Sequence, residues 1–264
     1  EYNYSTQAEL EQAKQQSEER MRFWKEVFAS EKAEYLHYVI VSQYFCDEIF
    51  EDYQIQLDPS QYSIIHNCID TDQFSYIPKS EEQRKKSLSI RPYQSNKYAN
   101  DLSVKAIQAL AGEPWFSELE IAMIGNGPLF DTLLAPLKKY PNVHLRKEFL
   151  SQNEIAALHK QYGIFLTPTR MDAQGVSRDE AMSSGLVPVT NAVTAVPEFV
   201  DEDCGILAPG EDYLAMAEGI KRLYHHPEEF LRMSANAAAR VRRQTSKEYT
   251  IQKEVRLICG RNAD

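Results

Sequence analysis

The sequence is short of most of the residues that would declare a chemistry outright. Its four cysteines, Cys46, Cys68, Cys204 and Cys259, are scattered with no C-x-x-C pair, which excludes a zinc ribbon or a disulfide scaffold and suits a reducing cytosol. The six histidines, including the adjacent His225 and His226, show no metal-ligand spacing, so no metal site is expected. There is no G-x-S-x-G, no Walker lysine motif and no convincing Cys-His pairing. No apolar run reaches membrane-spanning length, and the first residues are polar and acidic rather than those of a signal peptide. Positive charge is also scarce: 29 basic residues face 39 acidic ones, a formal net charge of -10. That balance gives no general case for nucleic acid or anionic lipid, and leaves any anion to local cations. Even the Gly125-x-Gly127 turn lacks a third glycine, with Phe130 in its place, which argues against NAD.

What is present is a globular chain of 264 residues, 43% hydrophobic, long enough for two modest domains. Residues 1 to about 34 read as a helix with Met21, Trp24, Val27 and Phe28 on one face. A strand at Tyr38–Val41, a helix capped by Ser42 through Tyr53, a turn at Asp58–Ser60 and a strand at Tyr62–His66 follow. The charged stretch 80–86 reads as a linker or exposed helix, and a domain boundary is placed near it, dividing 1–78 from 79–264. Beyond it, strands expected at 87–91, 119–124, 142–145, 164–168, 186–190 and 205–207 alternate with helices at 101–111, from Pro128, and at 151–161, 177–184, 213–225 and 227–243. Such alternation predicts an α/β fold, a Rossmann-like parallel sheet with helices on both faces. A last helix is expected at 247–259. The chain begins without methionine in the middle of a helical pattern, so a piece of a longer protein is expected.

The segment Met171–Thr190, MDAQGVSRDEAMSSGLVPVT, is the best-specified part. Ser177 and Glu180 have capping-box spacing, Gly185 supplies a left-handed C-terminal position, and Pro188 starts an extended segment. A helix N-terminus behind Gly175 offers unpaired N–H groups and the positive end of a dipole, a seat for phosphate. Four loops are expected on the same carboxyl edge of the sheet: after Arg91, at Gly125–Gly127, at 147–150 and at 172–177. Arg91 and Lys97 at the first could clamp a diphosphate without a metal. His66, just ahead of a turn, reads as structural.

The order IIHNCIDTDQF, a strand ending in Arg91 with Lys97 soon after, IAMIGNGP, DAQGVSRDEAMSSGLVPVT and VPEFVDEDCGILAPGED resembles the retaining glycosyltransferases of family 4, which have the GT-B fold. The resemblance implies two Rossmann-like domains facing a cleft, the second holding a nucleoside-diphosphate sugar, UDP- or GDP-linked, with no cofactor and no metal. It assigns Arg91 and Lys97 to the diphosphate, Asp172 to the donor sugar and Glu180 to the ribose. Gly175, Val176 and Ser177 would meet the phosphates through their backbone, the glycine pair Gly125 and Gly127 would lie at the donor, and Lys147, Phe149 and Leu150 would form a wall beside the base. The implied acceptor is a glycan or a lipid-linked glycan of surface-polysaccharide assembly. The implied location is the cytoplasm, with peripheral association of the full-length protein at the inner face of the plasma membrane.

Three positions depart from the family pattern. Asp172 stands where Glu is usual, Thr194 and Ala195 replace a glycine pair before Pro197, and residues 1 to about 78 resemble only the end of the family's N-terminal domain. The implied acceptor site and a histidine near the donor sugar belong to the part not represented, so this chain alone is expected to bind donor without transferring sugar. A non-catalytic nucleotide-sugar sensor or scaffold, and a sugar-nucleotide epimerase of the same fold, are the alternatives.

Overall fold

The computed structural model describes residues 7–30 and 35–260. Helix α1 (Gln7–Ala29) lays Phe28 against Tyr38 and Tyr53, with ring centroids 5.1 and 5.5 Å apart, which is the face expected of it. Residues 1–6 and 31–34 of the expected helix lie outside the described residues. Strand β1 (Tyr38–Ile40) leads into α2 (Gln43–Tyr53), capped as expected by Ser42, whose hydroxyl accepts from Phe45 N. Strand β2 (Tyr62–Ile64) pairs with β1 in parallel to make a two-stranded sheet. His66 is structural as read: its Nδ1 bonds Val41 O at 2.7 Å.

The six-stranded parallel sheet that follows comprises β3 (Lys86–Ile90), β4 (Glu120–Gly125), β5 (Val143–Lys147), β6 (Ile164–Leu166), β7 (Val187–Asn191) and β8 (Ile206–Ala208). Between them run α3 (Asn100–Leu110), α4 (Phe130–Leu134), α5 (Gln152–His159), α6 (Val176–Ser183) and α7 (Val196–Phe199), and after them α8 (Tyr213–His225), α9 (Pro227–Gln244) and α10 (Lys247–Cys259). The spatial order is β5-β4-β3-β6-β7-β8. The chain thus winds outward from β3, returns to the middle, and winds outward the other way from β6. This is the doubly wound α/β arrangement expected from the alternation, and its reversal point, where the first loops of both halves diverge, lies between β3 and β6.

Three local readings need correction. Pro128 does not open α4, which starts two residues later with Leu129 as its N-cap. The stretch 80–86 is not a linker: of the two readings the helical one holds, as a short 3-10 helix, Glu81–Lys85, running directly into β3. The short helix α7 was not expected, because four residues are too few to show a period. Ser151 and Glu154 form a capping box on α5, and Gly185 is left-handed (φ 84) as read. Among the described residues, no helix is long and apolar enough to cross a membrane.

The core lies on both faces of the sheet, with Leu88, Met123, Ile124, Val187 and Val189 buried to the last atom. His159 is buried among them; its Nδ1 lies 3.2 Å from Ser184 Oγ, and Lys79 Nζ donates to its carbonyl at 2.5 Å. Burial, helped by the Lys79 charge, pushes the imidazole down to about 3, and burial pushes Lys79 down to about 8. An imidazole whose folded value lies below its unfolded 6.5 stays neutral in the native state while the unfolded chain takes the proton. Stability therefore falls as pH drops through 6.5 toward 3, at up to about 1.4 kcal/mol per pH unit. Urea unfolding of His159→Leu between pH 6.5 and 4.5 is expected to show a flatter decline than the parent chain, and an unchanged slope would contradict this account.

Candidate functional site

The reversal point is occupied by a cavity of about 260 Å³, walled by Ile90, Arg91 and Pro92 from the end of β3, Lys97 and Tyr98 from the following turn, Thr169, Met171 and Asp172 after β6, and Gly175, Val176 and Ser177 at the start of α6. Six of the residues singled out from sequence, Arg91, Lys97, Asp172, Gly175, Val176 and Ser177, meet there. A larger cleft of about 830 Å³ shares Lys97, Met171 and Asp172 with it and extends to Trp24, Phe28, Tyr38 and Tyr44 beside the two-stranded sheet.

Arg91 is 6% exposed. Its Nη2 donates to Pro168 O at 3.3 Å, its guanidinium lies 5.2 Å from the Tyr98 ring, and its Nε is buried with no acceptor among the described residues. Burial pushes the group below its ordinary value, and the Asp172 carboxylate is the main opposing influence. A buried cation with donors unspent is costly to keep and marks a place for an incoming acceptor. The N–H groups of Val176 and Ser177, first in α6, have no intrahelical acceptor either, because a helix satisfies its own donors only from the fifth onward.

The cap of that helix differs from expectation. Gly175, not Ser177, is the N-cap, at φ 94, and Ser177 and Glu180 lie inside the helix, so the predicted capping box does not form. A side chain at 175 would meet Arg178 Nη1 at 2.7 Å as well as the left-handed backbone. Glycine therefore lets the helix be capped two residues earlier than the side-chain pattern indicated. Glu180 is half-buried and hydrogen-bonded with the Gln152 side chain, and burial pushes it up to about 7.

The loop is fixed by residues that pattern reading passed over. Arg178 and Asp179 are 3% and 1% exposed and paired at 2.7 Å. Gln174 accepts from Asn67 N at 2.6 Å and donates to Asn67 O at 3.0 Å and to Asp179 Oδ2 at 3.1 Å; Arg178 Nη2 donates to Gln174 O. The signal for them was available: two adjacent charges, followed at once by Glu180, sit in a helix too short to offer three solvent positions in a row. Asp172 is held by Thr194, whose hydroxyl accepts from Asp172 N at 3.0 Å and donates to Asp172 O at 2.8 Å. Arg170 braces the opposite wall, with Asp101 at 2.8 Å and Glu211 at 2.7 Å, while its backbone N donates to Lys97 O at 2.9 Å.

The remaining sequence candidates stand outside the cavity wall. Gly125 and Gly127 pack against the loop after β3, where a Cβ on Gly127 would fall 2.3 Å from Tyr93 C and one on Gly125 1.9 Å from Arg91 O. Tyr93 N donates to Asn126 O at 2.8 Å. Their smallness thus serves contact between two loops of the protein. Lys147 is paired with Asp131 at 2.5 Å, Phe149 is 84% exposed, and Leu150 packs on the core under β4.

Residues 70–240 match the family model "Glycosyl transferases group 1". The chain belongs to this family. Among relatives, the lipopolysaccharide core biosynthesis mannosyltransferase LpsB of Rhizobium meliloti is 24% identical over 223 residues, 77% of this chain and 61% of that protein. Among solved structures, a point mutant of S. aureus TarM in complex with fondaparinux, alpha-GlcNAc-glycerol and UDP superposes with a TM-score of 0.71 at 17% identity, over 86% of this chain and 45% of TarM. Anabaena Alr3699/HepE in complex with UDP-glucose gives 0.68 at 13% identity, over 84% and 63%. The chain thus spans less than two thirds of the length of these relatives. The group 1 match contains the whole cavity from Ile90 to Ser177.

The loop network gives a direct test. Gln174→Ala strips a partner from the buried Asp179 and both bonds to the backbone of the exposed Asn67, and is expected to lower stability in urea titration by about 1–3 kcal/mol, the cost of one unmet buried polar group. A loss under about 0.5 kcal/mol would show that the network does not fix the loop.

Proposed function

We propose that the chain is the donor-binding part of a retaining glycosyltransferase of family 4, moving a sugar from a nucleoside diphosphate, UDP or GDP, to a glycan or lipid-linked acceptor of surface-polysaccharide assembly. One observation carries the reading: the buried Arg91 guanidinium, with Nε unmet, shares a cavity with Lys97 and the N-terminus of α6. Those groups are complementary to a diphosphate, whose charge grows as the glycosidic bond breaks. In this reading Arg91 and Lys97 hold the diphosphate, the N–H groups of Val176 and Ser177 take phosphate oxygens, Asp172 binds donor-sugar hydroxyls and Glu180 the ribose. The cations and helix dipole stabilise the leaving group with no metal and no cofactor.

The acceptor enters through the larger cleft, which reaches Asp172 and Lys97 from the side of the two-stranded sheet. Its oxygen bonds to the anomeric carbon on the face from which the phosphate oxygen departs, and its proton passes to the leaving diphosphate, so the anomeric configuration is retained. Support for surface polysaccharide as the product comes from the resemblance to a lipopolysaccharide core mannosyltransferase. The location that follows is cytoplasmic, peripheral to the inner face of the plasma membrane. Catalysis is a property of the longer protein, because the acceptor side among the described residues consists of two strands and two helices.

Calorimetric titration with UDP, GDP and ADP is expected to show weak binding of at least one, reduced about tenfold or more in Arg91→Ala and Lys97→Ala, charge-assisted bonds being worth about 1.5–3 kcal/mol. No binding by the parent chain, or equal binding by both variants, would sink the reading. A second expectation concerns pH. Glu180 must be ionised to accept from both ribose hydroxyls, and its folded value is about 7. Its ionised fraction rises about tenfold from pH 6 to 8, so nucleotide affinity should rise by up to that factor, and Glu180→Gln should remove this component of the pH profile. Superimposable profiles for the two proteins would show that Glu180 does not touch the ribose.

A further inference from the structure

One aromatic side chain on the cavity wall has no part in the reading above. Tyr98 ends the short 3-10 turn Asn96–Tyr98, and the next residue, Ala99, is fully buried and left-handed at φ 49. That conformation stops the turn abruptly and starts α3 at Asn100, leaving both Lys97 and Tyr98 on the cavity wall. The backbone is tied down there, because Lys97 O accepts from Arg170 N at 2.9 Å.

The Tyr98 ring centroid lies 5.2 Å from Arg91 Cζ and 5.8 Å from Lys97 Nζ. Both distances fall within the range at which a ring face attracts a cation. Among the described residues neither cation has a carboxylate within ion-pair distance, and Arg91 keeps a buried Nε unmet. A carboxylate in place of the ring would hold the two cations more strongly, but it would cancel the charge that an incoming polyanion must meet. An aromatic face orients them and leaves their net charge in place. We propose that Tyr98 is a positioning residue for the donor diphosphate: its ring braces Arg91 and Lys97 toward one another ahead of binding, so that they need not be ordered when the ligand arrives. This rests on the donor-site reading above.

The test is calorimetry on the full chain with UDP, GDP and inorganic pyrophosphate, comparing the parent, Arg91→Ala, Tyr98→Phe and Tyr98→Leu. Tyr98→Leu is expected to weaken the nucleoside diphosphates and pyrophosphate by a similar factor, roughly five- to thirty-fold for two cation–ring contacts. Tyr98→Phe, which keeps the ring and loses the hydroxyl, should stay within about twofold of the parent. Parent-like binding by Tyr98→Leu, with Arg91→Ala still impaired, would overturn the role of Tyr98 and leave the donor site standing. A loss in Tyr98→Phe equal to that in Tyr98→Leu would also overturn it, since the hydroxyl and not the ring would then be responsible. No binding by the parent, or undiminished binding by Arg91→Ala, would instead remove the donor site itself.

Discussion

The shape of the candidate site depends on an ion pair that has been taken out of water. Arg178 and Asp179 follow one another in α6 and are both buried. Each would cost several kcal/mol alone, and together they are tolerable only while their remaining donors and acceptors are filled. Gln174 fills them and, with the same amide, grips both backbone groups of Asn67. The loop 172–175 is thereby left with one arrangement, because any other would strand a charge. The constraint travels further: the Arg178 guanidinium lies 5.2 Å from the Phe199 ring, Phe199 meets His66 edge-on at 5.0 Å, and Glu198 accepts from Gln43 N and Tyr44 N at 2.9 and 2.6 Å. A carboxylate on the first turn of α2 is favoured by the helix dipole as well as by the two bonds. The two-stranded sheet and the loop 172–175 are thus joined by contiguous polar and aromatic contacts.

The second determinant is topological. Arg91 and Asp172 are 81 positions apart in sequence, and nothing in either neighbourhood says that they meet. They meet because β3 and β6 are neighbours, paired at Ser87↔Ile164 and Leu88↔Phe165, so that both carboxyl-end loops open onto the same gap. The loop after β6 runs back over the turn 96–98, and Arg170 fixes that approach through its own backbone and side chain. A helix N-terminus, two cations and a carboxylate then share one small volume although no two of them are adjacent in the chain.

Much of this was legible in the sequence, and the failures have physical reasons. Strand and helix order came through almost intact, since apolar runs alternating with capped amphipathic stretches have few other readings: α2, α8 and α10 begin and end within a residue of expectation. The cap of α6 did not, because S-x-x-E spacing is equally compatible with two interior helix positions, and only the φ of Gly175 decides between them. At the Gly125–Gly127 turn, which the resemblance places at the donor, both residues are also small to let in the backbone of residues 91–94, a contact that depends on pairing between β3 and β4 and so has no local sequence signal. The buried network at 174, 178 and 179 was passed over because burial of charge contradicts the periodic signal on which patterning relies, and the one pointer to it was the run of three charges at 178–180.

The two exchanges at 172 and 194 are most simply understood together. Asp172 is one methylene shorter than the glutamate it resembles, so its carboxylate cannot reach as far from the backbone and depends more on where the backbone lies. That backbone is held from both sides by the Thr194 hydroxyl, which accepts from Asp172 N and donates to Asp172 O. Thr194 achieves this in the left-handed region, at φ 47, where a β-branched residue is strained by about 1–2 kcal/mol and glycine would not be. Glycine in that place would relax the backbone and lose the clamp. The strain is the cost of fixing a short carboxylate, whose Oδ1 is already engaged by Gln174 N at 3.2 Å. Under the donor-site reading, the distance from Asp172 to the sugar is therefore set as much by Thr194 as by the side chain itself, and the two positions act as one determinant of which sugar fits.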